Sequence, residues 1–147
     1  MGKAVRAIII EGDKILVMHR NKEGSQYFTL VGGRVNDGEN FEDALIREVK
    51  EETGLIVTAS QHVYTELHPE PYNEQYIYLC QIAPHSNTIA IQPESEEALL
   101  NQFQTNLHTP MWSYAKSFGS LPFRTPQLQQ AILLGMKKGF PNRPIKL

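Results

Sequence analysis

Cysteine is almost absent from this chain. Cys80 stands alone, so no intrachain disulfide can form, and a reduced, cytoplasmic setting is the default expectation. It lies in the stretch 75–82, which reads as a strand, and so is expected to serve as a small buried hydrophobe rather than a nucleophile. Long apolar runs are missing too. None approaches the ~18 residues that a membrane span needs, and Met1 to Arg6 has no signal-peptide core, so no membrane partner is expected. Arg6 also stands where a myristoylation motif would have Ser or Thr. There is no excess of positive charge: 14 basic residues face 16 acidic ones, for a net charge of −2. A long nucleic-acid backbone is therefore not an expected partner. The five histidines show no metal-ligand spacing, and the ten glycines and nine prolines show no period.

What is present suits a globular chain. Its 147 residues match one domain spanning 1–147, large enough to bury roughly 70% of its unfolded surface. Strands are predicted at Ala4 to Ile10, Ile15 to Met18, Tyr27 to Val31, Leu55 to Val57, Val63 to Leu67 and Tyr76 to Ile82, with a weaker one at Thr88 to Ile91. Asn40 to Thr53 is the strongest helix, with Asn40 as N-cap, Asp43 three residues on and Gly54 to end it. Pro126 to Lys138 is a second helix, with Leu128, Ala131, Ile132 and Gly135 as its packing stripe. Glu94 to Phe103 reads as a short helix or an acidic loop, and Pro141 to Leu147 as a tail. Strands, helix, strands, helix is the order of an α/β protein whose mixed sheet is covered by helices. The oligomeric state is left open, with a homodimer as one option.

The first helix is unusual. Phe41, Ala44, Leu45 and Val49 define an inward stripe, but one turn later the same sector carries Glu48, Glu51 and Glu52. At 100° per residue the three carboxylates share an arc of roughly 100°. Like charges three and four residues apart destabilise a helix, more so when desolvated, and these also sit toward the negative end of the dipole. Bound divalent cations would remove that penalty, and clustered carboxylate oxygens suit hard ions such as Mg²⁺ or Mn²⁺. The plainer alternative is a solvated face with ion pairs from Arg47 to Asp43 and Glu51.

The wider spacing decides between these. Gly33 is followed after five residues by Glu39, and after seven more by Arg47-Glu48-Val49-Lys50-Glu51-Glu52-Thr53-Gly54-Leu55. Seven fixed residue types and two apolar positions fall in a window of 23, a coincidence on the order of 10⁻⁹ per start position at ordinary residue usage. The pattern resembles the Nudix box, Gly-x5-Glu-x7-Arg-Glu-U-x-Glu-Glu-x-Gly-U with U apolar, without departure. This resemblance implies a Nudix-type α/β/α sandwich around a mixed sheet. It further implies Mg²⁺- or Mn²⁺-dependent hydrolysis of a nucleoside diphosphate linked to another moiety. Carried over residue by residue, Glu48, Glu51 and Glu52 match metal ligands, with the carbonyl of Gly33 as an added one. Glu48 matches the group that orients or deprotonates the attacking water, and Arg47 the residue that orients a catalytic carboxylate. Glu39 and Gly54 match structural positions.

Substrate choice must lie outside this box. A further acidic ligand is expected among Glu94, Glu96 and Glu97, with Glu94, following Pro93, placed first. Tyr72 and Trp112, each in a Pro-bounded segment predicted as loop, are the expected substrate-binding aromatics. His68 and His108 read as loop residues. The complete carboxylate set favours an enzyme acting on a small nucleotide over a non-catalytic ligand sensor, and hydrolysis of 5′-capped or triphosphorylated RNA is a third reading.

Overall fold

A computed structural model describes residues 2–67, 69, 71–86, 88–93, 95–102 and 106–147. Nine strands and three α-helices alternate along these residues: β1 (Lys3–Ile8), β2 (Ile10–Glu11), β3 (Lys14–Lys22), β4 (Ser25–Thr29), β5 (Val31–Arg34), α1 (Phe41–Thr53), β6 (Val57–Leu67), β7 (Glu74–Ile82), α2 (Glu96–Gln102), β8 (Asn106–Tyr114), α3 (Pro126–Lys138) and β9 (Ile145–Lys146). A 3-10 segment, Ala115–Ser120, follows β8.

The main sheet has the order β5-β1-β7-β6-β9. It is mixed, because β1 runs antiparallel to β5 but parallel to β7, and β6 antiparallel to β7 but parallel to β9. In the second sheet β3 pairs with β2, β4 and β8, the last along its whole length from Lys14↔Tyr114 to Lys22↔Asn106. Alternation along β1 divides the interior into two cores. Val5 and Ala7 join Leu16, Met18 and Tyr78 beneath Ala44, Leu45 and Val49 of α1. Ile8 instead joins Ile15, Val17 and Ile77 beneath Leu128 and Ile132 of α3. The mixed sheet between helices is the expected α/β/α sandwich.

Both long helices begin and end as the sequence indicates. Asn40 caps α1 by accepting from the Asp43 N–H at 2.8 Å, and Gly54 ends it at φ 81°. Thr125 caps α3 ahead of Pro126, and Gly139 ends it. Other segments differ from expectation. Residues 57–67 form one continuous strand, in which bulges near Val57/Ala59 and His62/Tyr64 absorb the polar stretch that broke the pattern. Thr88 to Ile91 does not form a strand. Its neighbourhood covers the end of α1 instead, where Ala90 N–H donates to the Thr53 carbonyl (3.2 Å) and Gln92 N–H to that of Glu51 (2.7 Å). Those bonds satisfy carbonyls that the helix itself leaves open. Asn106–Tyr114, expected as loop because of Pro110, is a strand, and the tail contributes β9. None of the helices in the described residues is long and apolar enough to cross a membrane.

Candidate active site

The site is assembled where α1 lies against β5. Gly33 on β5 leaves room for the carboxylate of α1: a Cβ there would stand 2.5–2.7 Å from the carboxyl atoms of Glu48 and displace them. Gly32 is more strictly constrained, with φ at +145° and space for a Cβ closed by the Val5 carbonyl. The Gly32-Gly33 pair thus lets strand backbone and acidic helix face approach closely. Gly32 N–H also donates to Glu52 Oε1 at 2.6 Å.

Arg47 organises the outer edge of this cluster. Its guanidinium bonds Glu39 through Nε (2.8 Å) and Nη2 (2.9 Å), Glu48 Oε1 through Nη1 (2.9 Å), Glu51 Oε2 through Nη1 (3.4 Å), and the Arg34 carbonyl through Nη2 (3.0 Å). These contacts use all five guanidinium N–H donors and fix the fork in one orientation. The hydrogen bond from Arg47 holds the Glu39 carboxyl below its ordinary pKa.

Glu48 and Glu52 are buried, at 6% and 3% exposure. One oxygen of Glu48 faces Arg47, while buried Oε2 has no hydrogen-bond partner. Burial, then the nearby Glu97, pushes the Glu48 carboxyl up to about 7. The same causes raise Glu52 well above the ordinary carboxylate value, and burial likewise raises Glu97. Oxygen atoms of Glu48, Glu52 and Glu97 lie within 4.8 Å of one another. A buried lone oxygen and three converging carboxylates form a hard-donor set that fits Mg²⁺ or Mn²⁺.

Glu97 arrives from α2. Ser95 begins that helix, its Oγ accepting from Ala98 N–H at 3.1 Å. Asn101 fastens it to β8 by accepting from His108 N–H (2.6 Å) and donating to the His108 carbonyl (3.0 Å). Among the three acidic candidates of this segment, the structure brings Glu97 to the cluster and leaves Glu96 at the cleft wall. Glu94, the first choice, lies outside the described residues. Of Glu48, Glu51 and Glu52, Glu51 is the most exposed, and it faces Arg47 rather than the three-carboxylate cluster.

The carboxylates open into a cleft of about 260 Å³. Gly33, Tyr72, Arg6, Arg20 and His108 are among its lining residues. Tyr72 is therefore at the cleft, its ring 5.9 Å from the Arg6 guanidinium. Trp112 is not. It belongs to β8, where it pairs with Leu16 while His108 pairs with Arg20. Four strand residues separate the two, roughly 13 Å. Trp112 packs against the core and stacks on His85, beside a separate hollow near Glu11 to Lys14. Reading the Pro110 segment as loop caused this misplacement; as a strand, it holds the ring at the far end of the sheet. His108, expected as an ordinary loop residue, is instead buried on β8 with Nδ1 unpartnered, and burial followed by Arg20 pushes its pKa down to about 4.

A family model described as the NUDIX domain matches residues 1–117. The chain belongs to the Nudix family. This membership bears out the resemblance read from the pattern at Gly33 to Leu55. An ADP-ribose pyrophosphatase of Methanocaldococcus jannaschii is 50% identical over 54 residues, 36% of this chain and 32% of that protein. The NAD-capped RNA hydrolase NudC of Pseudomonas putida is 29% identical over 90 residues, 61% of this chain and 32% of that protein. The matches thus span about a third of the length of these curated relatives. In three dimensions, an ADP-ribose pyrophosphatase from Streptococcus suis superposes with a TM-score of 0.66 at 21% identity, covering 99% of this chain and 98% of that one. That likeness establishes the Nudix fold over nearly the whole chain, including α3, which lies beyond the family match.

Two features of this Nudix site escaped sequence reasoning. Glu97 is one of three acidic candidates in an unpatterned stretch, and the three look alike until α2 is docked. Arg6 and Arg20 carry a weaker signal: Arg6 interrupts an apolar strand, the kind of charge that points to a cleft.

Proposed function

We propose that this chain hydrolyses a pyrophosphate bond in a small nucleoside diphosphate-linked substrate by direct attack of water on phosphorus. The observation that carries the reading is the buried convergence of Glu48, Glu52 and Glu97, with Glu48 Oε2 unpartnered. Such a cluster is costly unless cations occupy it. Glu48, Glu52 and Glu97 would hold the divalent cation, Mg²⁺ or Mn²⁺, with Glu51 and the Gly33 carbonyl at its margin. When bound, such a cation neutralises phosphate oxygens and lowers the pKa of a coordinated water.

The chain's own groups do the rest. Glu48 orients the attacking water and takes its proton, while Arg47 holds the Glu48 and Glu51 carboxylates in place. Tyr72 and Arg6 line the cleft where the substrate lies. No Ser or Cys serves as nucleophile: Cys80 is buried among apolar residues, and that burial pushes its thiol up to about 12. No covalent enzyme intermediate is therefore part of the reading.

The test is a panel of nucleotides with Mg²⁺ or Mn²⁺, run in ¹⁸O-water with and without chelator. The expected result is release of a nucleoside phosphate, label in one product phosphate, and loss of turnover on chelation. Undiminished hydrolysis in chelator, or a trapped phospho-enzyme, overturns the reading. The panel includes NAD-capped RNA, since one relative bears that activity in its name.

A further inference from the structure

Beside the carboxylate cleft is a second cavity, of about 240 Å³, lined by Arg6, Arg20, Lys22, Tyr27 and Arg124 among others. It shares Arg6, Arg20, Lys22, Thr29 and Pro71 with the cleft. Clustered carboxylates and clustered cations therefore line adjoining cavities with Arg6, Arg20 and Lys22 between them. We propose that the basic end is a subsite for a phosphate group of the substrate beyond the diphosphate that is cleaved. The substrate class is then a nucleotide carrying at least a third phosphate. This inference rests on the hydrolase reading for what happens at the acidic end.

The cations are unneutralised by direct contact. Among the described residues, none of the four forms an ion pair. Arg6 bonds the neutral amide of Gln75 through Nε (2.9 Å) and the Leu30 carbonyl through Nη1 (3.3 Å). Arg20 bonds Asn106 Oδ1 (2.7 Å), and its buried Nε has no partner. Glu66 lies behind Arg6 but accepts from Gln75 Nε2 at 3.1 Å and from Thr125 Oγ1, so Gln75 stands between the two charges. Three guanidinium groups and an ammonium around one small cavity repel one another, and a bound polyanion removes that penalty.

The geometry also favours phosphate over a nucleobase. Arg124 lies 3.7 Å from the centroid of the Tyr27 ring, and Arg20 lies 5.6 Å from the same ring. A guanidinium stacked by its face keeps its in-plane N–H donors for a phosphate, the bidentate geometry that suits arginine. With Arg124 already on the ring, Tyr27 serves as a platform for the cation rather than for a base.

Arg124 and Lys22 are the residues to alter. Both side chains are exposed, so folding is expected to tolerate the change, and Arg124 lines only the basic cavity. The first measurement is calorimetric binding of inorganic tripolyphosphate in chelator, where the carboxylate cluster offers no metal to bind it. Wild type is expected to bind, with affinity falling about tenfold or more in Arg124→Gln and in Lys22→Gln, and partly restored in Arg124→Lys. The second is kinetic. KM is compared for a nucleoside triphosphate, a dinucleoside diphosphate bearing a ribose phosphate, and a nucleoside diphosphate sugar. Arg124→Gln is expected to raise KM for one of the first two at least tenfold more than for the third, and which one identifies where the extra phosphate sits. Equal tripolyphosphate binding by wild type and Arg124→Gln, or an equal KM change across the panel, overturns the subsite. Absence of hydrolysis by wild type together with Arg124-dependent binding would overturn the hydrolase reading while leaving the anion subsite intact.

Discussion

Helices α1 and α3 are the same length and cover opposite faces of one sheet, but they bury different chemistry. Each spans thirteen residues, with a polar N-cap and a glycine after its last turn. Helix α3 buries Leu128, Ile132 and Gly135, and its one buried polar side chain, Gln129, donates to the carbonyls of Phe118 and Leu121. Helix α1 begins alike, burying Ala44, Leu45 and Val49, and then buries Glu48 and Glu52. A helix that serves only as a cover keeps its apolar stripe to the end and satisfies every polar group it hides. Where the stripe turns to charge with an oxygen left unpartnered, packing alone does not account for the residues present.

The contrast is broken most directly by removing charge without shape. Glu48→Gln and Glu52→Gln are expected to lower turnover by about 100-fold or more while leaving unfolding stability unchanged or slightly higher, since each relieves repulsion in a buried cluster. Steady-state rates and denaturant unfolding on the same samples check this. Near-normal rates in both variants, or collapse of the fold, would make α1 a cover like α3.

Apolar truncation should produce the opposite pattern. Leu128→Ala on α3 and Leu45→Ala on α1 are each expected to cost ~2–5 kcal/mol, both side chains being fully buried. Losses below ~1 kcal/mol in urea melts would show that the stripe does not dock the helix. Gly135→Ala sharpens the same point on α3, where a Cβ would meet the Phe140 ring at 2.4 Å. A cost of ~1–3 kcal/mol is expected there, as in other overpacked sites.

Divalent cation should stabilise through the carboxylates of α1 together with Glu97, and not through α3. At Mg²⁺ or Mn²⁺ a hundredfold above its dissociation constant, the gain is about 2.7 kcal/mol. That gain should appear as a higher Tm, persist in Leu128→Ala and disappear in Glu52→Gln. A gain of equal size in Glu52→Gln would place the ion elsewhere.

The smallest effect is a pair of opposed titrations in chelator-treated protein. Glu48, faced by Glu97, Glu51 and Arg47, is raised to about 7, chiefly by burial. The native state then holds a proton that the unfolded chain has released, so this group lowers stability as pH rises from about 4.5 to 7. His108, faced by Arg20 and Arg6, is lowered to about 4, again chiefly by burial. Here the unfolded chain binds the extra proton, so stability increases as pH rises from about 4 to 6.5. Glu52 and Glu97 are raised by burial as well and act in the same direction as Glu48, so wild-type stability should fall as pH rises through this range. His108→Gln should steepen that fall, and Glu48→Gln should make it shallower. Identical profiles in the two variants would overturn both assignments.

Helix α1, its caps and the clustering of Glu48, Glu51 and Glu52 on one sector were all readable from the chain, because helical periodicity is a property of contiguous residues. So was Tyr72 as an aromatic at the cleft, whereas the sequence pointed Arg47 to Asp43 and Glu51 and the structure adds Glu39 as its partner. The tertiary structure decided the rest. It selected Glu97 as the third member of the cluster, because Asn101 fastens α2 to a strand that Pro110 had disguised. Pairing of β8 with β3 carried Trp112 away from the cleft and buried His108 beside Arg20. Arg6, Arg20, Lys22 and Arg124 come from β1, β3 and the turn before α3, separated by up to 118 positions in the chain, and only strand pairing and helix docking bring them to one cavity. Local pattern can specify which face of one element is charged. Which charges from different elements meet depends on long-range packing, where no short stretch of sequence carries the information.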